Sequence, residues 1–189
     1  MVAALVSLGA KISRDGDCLT VQPIRFAERA QIDCGLAGTV MRFVPPVAAL
    51  GKGSFRFDGD ERARERPMTT TISTLRSLAV EVDDDGRGSL PFTVHGSGQV
   101  IGGELSVDAS SSSQFVSALL LVAPAFRDGL DLQHRGATLP SQPHVEMTVT
   151  ELRRRGVQVE VSPDRWVVAP GPIAALDVSI EPDLSNAGA

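Results

Sequence analysis

Apolar positions along this chain alternate between two rhythms, and the alternation repeats. Three stretches share one pattern: "LVSLGAKI" (Leu5–Ile12), "LRSLAVEV" (Leu75–Val82) and "LRRRGVQV" (Leu152–Val159). Each begins with apolar residues at helical spacing, stops at Gly or Ala, and resumes as a short alternating strand. A polar turn follows in each case ("SRDGD", "DDDGRGS", "SPD"), then a second strand ("CLTVQP", "LPFTVHG", "RWVVAP"). Turns rich in Gly, Asp and Pro between such runs predict hairpins.

The segments upstream match as well. "IDCGLAGTVMRFVPPVAAL" (Ile32–Leu50) aligns with "VDASSSSQFVSALLLVAPA" (Val107–Ala125). Both predict a strand ending at Asp, a turn of small residues and an apolar helix. Strands opened by Gly53 and Gly129 come next, then helices beginning near Pro67 and Pro143, where proline suits the first helical turn. The predicted unit is therefore βαβαββ, recurring roughly every 75 residues, too long for the common solenoids. Residues 27–100 and 101–173 read as complete units, and residues 1–26 as the last helix and hairpin of a truncated first one. Three such units close about a pseudo-threefold axis, with apolar helices inside and sheets outside. The expected fold is α/β (α+β), an inverse α/β barrel-like domain.

"MVAALV" opens in helical spacing without an N-cap, and "SIEPDLSNAGA" runs from a strand toward a new helix at Asp183 and Ser185. Both ends thus read as cut. Residues 1–182 are expected to form most of one domain, and residues 174–189 to include a crossover strand and the start of another.

Charge and composition narrow the function. A net charge of −5 argues against a general nucleic-acid or anionic-membrane binder. Cys18 and Cys34 form neither a metal motif nor a disulfide framework, which fits a reducing cytosol. The apolar run Phe115–Ala125 is too short to span a bilayer, and no basic-plus-apolar leader opens the chain.

Candidate chemistry lies at the strand-to-helix turns. In "DASSSSQFVSALLL" (Asp108–Leu121) the serines occupy the place of Gly35–Gly38 in the preceding unit. Small residues there let first-turn N–H groups face an anion at the positive end of a helix. Equivalent turns of successive units belong at the same end of the domain, so Gly38, Thr39, Arg66 and Gln114 should converge. Arg42 either neutralises an anion or pairs with Asp33. In "DERARERP" Arg62 and Arg64 read as solvated, whereas Arg66 abuts a helix start. His95, His134, Cys18, Cys34 and Trp166 read as structural.

Three stretches together resemble the EPSP synthase family of enolpyruvyl transferases (3-phosphoshikimate 1-carboxyvinyltransferases): "GLAGTVMRF", "GDERARERPM", and "DASSSSQFVSALLL" with "LPSQPHVEMT". The resemblance spans essentially the whole chain. It implies the N-terminal of two domains in an enzyme that moves the enolpyruvyl group of phosphoenolpyruvate (PEP) to the 5-hydroxyl of shikimate 3-phosphate. Reaction by addition and elimination, without metal or organic cofactor, is also implied. By resemblance Gly38, Thr39, Arg66 and Gln114 hold PEP, while Ser112, Ser113, Gln114, Ser141 and His144 hold shikimate 3-phosphate. No catalytic residue is assigned. The family's Gly-Ser-Lys-Ser segment and second domain are not among these residues, and Leu36 replaces the usual Asn. The polypeptide alone is therefore expected to bind but not to turn over. The alternatives are the UDP-N-acetylglucosamine enolpyruvyl transferase of the same fold, against which the Ser-Ser-Gln-Phe stretch argues, and a non-catalytic module.

Overall fold

The structure, a computed structural model, describes residues 1–180. Helix α1 (Val2–Ser7) leads into the hairpin β1 (Ile12–Asp15) and β2 (Cys18–Val21). The next run is β3 (Arg29–Asp33), α2 (Gly38–Ala48), β4 (Lys52–Asp58), a helical turn α3 (Glu61–Arg64), α4 (Thr69–Ser77), β5 (Glu81–Asp83) and β6 (Phe92–Ser97). It is answered by β7 (Gly103–Val107), α5 (Gln114–Val122), β8 (Leu130–His134), α6 (Gln142–Arg154), β9 (Val159–Ser162) and β10 (Arg165–Val168).

The two runs build sheets of identical topology, β3-β4-β6-β5 and β7-β8-β10-β9. In each, the first two strands are parallel and the others antiparallel. The parallel pair needs a crossover, which α2 and α5 supply. Strand alternation decides which face is buried. Phe55 and Phe57 of β4 point inward with Phe92 and Val94 of β6, and the Phe57 and Phe92 rings stack at 5.2 Å. Helices α2 and α5 pack against each other within the core. Helix α5 is apolar on every side, and every residue from Phe115 to Leu120 is buried.

The shared helix stop has one physical form. After α1, α4 and α6 the chain turns left-handed at Gly9, Ala79 and Gly156 (φ +109°, +59° and +83°). At each stop two backbone bonds close the end: Gly9 N–H to Val6 O and Ala10 N–H to Leu5 O, with Ala79/Val80 and Gly156/Val157 repeating the pair. This is the Schellman arrangement.

Two element boundaries differ from expectation. Helix α4 starts at Thr69, so Pro67 lies before it and not in its first turn. The Met68 N–H is taken by Gly88 O at 2.8 Å, and Met68 itself has non-helical φ of −116°. Pro143 does sit in the first turn of α6. Residues 174–180 carry no strand, because nothing among the described residues pairs with them; Ala174 N–H bonds Arg155 O instead. The expected helix at Asp183 and Ser185 falls outside the described residues.

Candidate anion-binding site

Both parallel strand pairs end in the same local device. Asp33 Oδ1 accepts the Gly35 N–H at 2.8 Å, and Asp108 Oδ1 accepts the Ser110 N–H at 2.9 Å. These Asx turns swing the chain from strand to helix. Beneath the second turn lies His134, which is buried. Its Nδ1 accepts the Ala109 N–H at 3.2 Å, so the proton is on Nε2, which donates to Ala137 O at 2.7 Å. The serine run is thereby ordered, and His134 has the structural part expected of it.

The two helix starts differ in what they offer a ligand. Helix α2 has Ala37 at its N-cap, with no side-chain cap. Its first-turn N–H groups, from Gly38 to Val40, have no acceptor among the described residues. At α5 the same donors are taken. Gln114 N–H reaches Ser112 Oγ at 3.3 Å, and Phe115 and Val116 reach the Ser112 and Ser113 carbonyls. Free backbone N–H groups are therefore available at α2. At α5 the hydroxyls of Ser112 and Ser113 are the groups left to offer.

Positive charge gathers at the α2 end. A Cβ on Gly38 would lie 3.1 Å from Nη1 of both Arg42 and Arg66, so a larger residue there would make both guanidinium groups give by a few tenths of an ångström. Arg66 Nη1 donates to the Leu36 carbonyl at 3.1 Å, so the main chain of Leu36 contributes although its side chain does not. Arg42 Nη1 donates to Gln114 Oε1 at 2.9 Å, with its guanidinium 5.3 Å from the Phe115 ring centre. Of the two sequence readings of Arg42, pairing with Asp33 is thus set aside. The Asp33 carboxylate is engaged by the Gly35 N–H, and Arg42 by Gln114.

Neither arginine has a carboxylate partner among the described residues. Burial lowers the Arg42 pKa, and the neighbouring Arg66 charge lowers it further. Two cations beside an uncapped helix end, without an internal counter-ion, form a ready anion site.

Thr39, Ser113, Gln114 and His144 line one cleft of about 390 Å³, together with Phe43 and Met147. Gly38 and Arg66 lie next to it: Nη1 of both Arg42 and Arg66 flanks Gly38, and Arg42 reaches Gln114 of the cleft at 2.9 Å. Ser141 caps α6 in a left-handed conformation (φ +50°, ψ +46°), and its carbonyl accepts the His144 N–H at 3.0 Å. A serine so held stores strain of about 1 kcal/mol, a cost that clusters at functional sites. Ser112 stands beside Ser113, half-buried. The elements thus bring Gly38, Thr39, Arg66 and Gln114 together. Ser141 and His144 approach from α6, the helix packed on α5.

Arg64 is engaged elsewhere, in a two-pronged bond with Asp58 at 2.9 and 3.0 Å. The Cys34 thiol is buried, and burial with Asp33 and Asp58 nearby pushes its pKa up to about 12, so it is no nucleophile at neutral pH. Among the described residues, no helix is long and apolar enough to cross a membrane.

Fold and candidate site together define an α/β protein in which successive repeats place two arginines without carboxylate partners beside an uncapped helix start. The chain matches the family described as EPSP synthase (3-phosphoshikimate 1-carboxyvinyltransferase) over residues 1–189, and it belongs to that family. Two solved structures of EPSP synthase from Acinetobacter baumannii share its fold, each at a TM-score of 0.73 and 19% identity. Each match covers 92% of this chain and 39% of the solved one, so the chain spans well under half the length of those relatives.

Proposed function

We propose that this chain forms one wall of a site for PEP and shikimate 3-phosphate in an enolpyruvyl transferase. The observation that carries the reading is the pair Arg42 and Arg66, without carboxylates, at the uncapped start of α2. Arg66, Gly38, Thr39 and Gln114 bind PEP. A planar guanidinium suits its carboxylate or phosphate in two-pronged fashion. Ser112, Ser113 and Ser141 donate hydroxyls to the 3-phosphate, and Gln114 and His144 meet the shikimate ring.

In the reaction the 5-hydroxyl adds to C2 of PEP while a proton goes to C3. Phosphate then leaves the tetrahedral carbon as a C3 proton is lost. This wall binds and orients the anions, and no acid or base is assigned to it. Residues 1–182 belong to the N-terminal domain in this reading, with units at 1–26, 27–100 and 101–173. A second domain supplies the facing wall and excludes water on closure. No cofactor is required, and the setting is cytoplasmic. Family membership favours shikimate 3-phosphate over a UDP-sugar acceptor.

The 189 residues on their own leave the cleft open. Loss of even one preorganised electrostatic contact costs a factor of ~100–1000 in rate. Phosphate release with both substrates present should therefore be undetectable, while shikimate 3-phosphate binds at roughly millimolar affinity, about −4 kcal/mol. Turnover at ordinary enzyme rates would overturn the assignment of roles.

A further inference from the structure

Arg42 and Thr71 carry the two buried side-chain polar atoms that lack a hydrogen-bond partner among the described residues, Nε and Oγ1. Both residues line one small pocket of about 10 Å³, together with Pro46, Leu75 and Phe115. A single water needs a space on the order of 10–15 Å³ by that measure, with two or more polar partners. Pro46 has no N–H, so the Arg42 carbonyl also lacks its usual donor one turn on in α2. Buried polar groups in folded proteins are almost always satisfied, and two orphans at one water-sized gap point to a shared partner.

We propose that a buried water bridges Arg42 Nε–H and the Thr71 hydroxyl, and that Arg42, so seated, is a positioning residue for Gln114. This rests on the anion-site reading above. Arg42 can only donate, so the 2.9 Å bond fixes the carboxamide of Gln114 with Oε1 turned toward the arginine. The NH2 group is then left for the ligand. An unpinned carboxamide presents oxygen or NH2, and only NH2 attracts an anion. Thr71, on α4, thus acts on the ligand through the water, Arg42 and Gln114 in turn, without touching it.

The test uses Thr71→Val, which keeps the shape and removes the hydroxyl, and Thr71→Ser, which keeps the hydroxyl. PEP is titrated into each by calorimetry, with circular dichroism checking the fold. A hydrogen bond of this kind, holding a charged group, is worth about tenfold in an equilibrium constant. Thr71→Val should therefore bind about tenfold more weakly, and Thr71→Ser close to wild type. In a Gln114→Ala background, Thr71→Val should cause no further loss. Equal affinities for wild type and Thr71→Val, or additive losses in the double variant, would overturn the proposal. A crystal structure of the unmutated chain is the second arm: a water bonded to both Arg42 Nε and Thr71 Oγ1 supports it, and a dry cavity ends it. Wild type failing to bind PEP, with the water in place, counts against the site reading and not against the seat of Arg42.

Discussion

At the residue scale, two positions show how far local rules reach. Ala79 occupies a left-handed turn that glycine fills at Gly9 and Gly156. A Cβ in that conformation costs about 1 kcal/mol. Ala79→Gly should raise stability by about that amount, read as a higher thermal midpoint; an unchanged or lower midpoint would mean that the strain is relieved elsewhere. Arg66→Lys keeps the charge but loses the planar fork. We expect it to weaken PEP binding at least several-fold, close to the effect of Arg66→Ala, and a lysine variant that binds like wild type would reduce Arg66 to a point charge. Arg66 and Gln114 stand out in the sequence as candidate site residues from their motifs. The partner of Arg42 was not, because Gln114 lies 72 residues away and only the packing of α2 on α5 brings them together. Thr71 left no signal at all, since its hydroxyl matters only beside a cavity.

At the element scale, hydrophobic rhythm and turn residues predicted the βαβαββ order and the Gly or Ala helix stops, because both are local. The start of α4 was misjudged at Pro67 because a distant loop sets it. That loop is organised by Asp84, whose buried carboxylate accepts from Arg76 Nη2 at 2.8 Å and from the Gly88 and Gly86 N–H groups at 2.7 and 3.2 Å. Gly88 in turn holds Met68, two residues from Arg66. The Arg76 bond first, and the Gly88 N–H next, hold the Asp84 carboxyl below the usual carboxylate range. A depressed folded pKa stabilises fully above the unfolded value near 3.9, and the gain is lost as pH falls through the folded pKa. Asp84→Asn should therefore cost about 2 kcal/mol at neutral pH. Thermal unfolding of both proteins should converge between about pH 5 and pH 2. A gap that stays constant with pH would assign the loss to packing instead of charge.

At the scale of the whole molecule, the two sheets of matching order place equivalent turns at one end, and the site is a property of that repetition. The central claim is that turns separated by most of the chain form one substrate wall. The most direct measurement is a shikimate 3-phosphate titration followed by backbone and side-chain amide NMR on the 189-residue chain. The account predicts saturable shifts centred on Ser112, Ser113, Gln114, Ser141 and His144, spreading to Gly38 and Thr39 through the Arg42–Gln114 bond. Shifts confined to the solvent-facing strands around Arg56 and Arg165, or none at millimolar ligand, would contradict it.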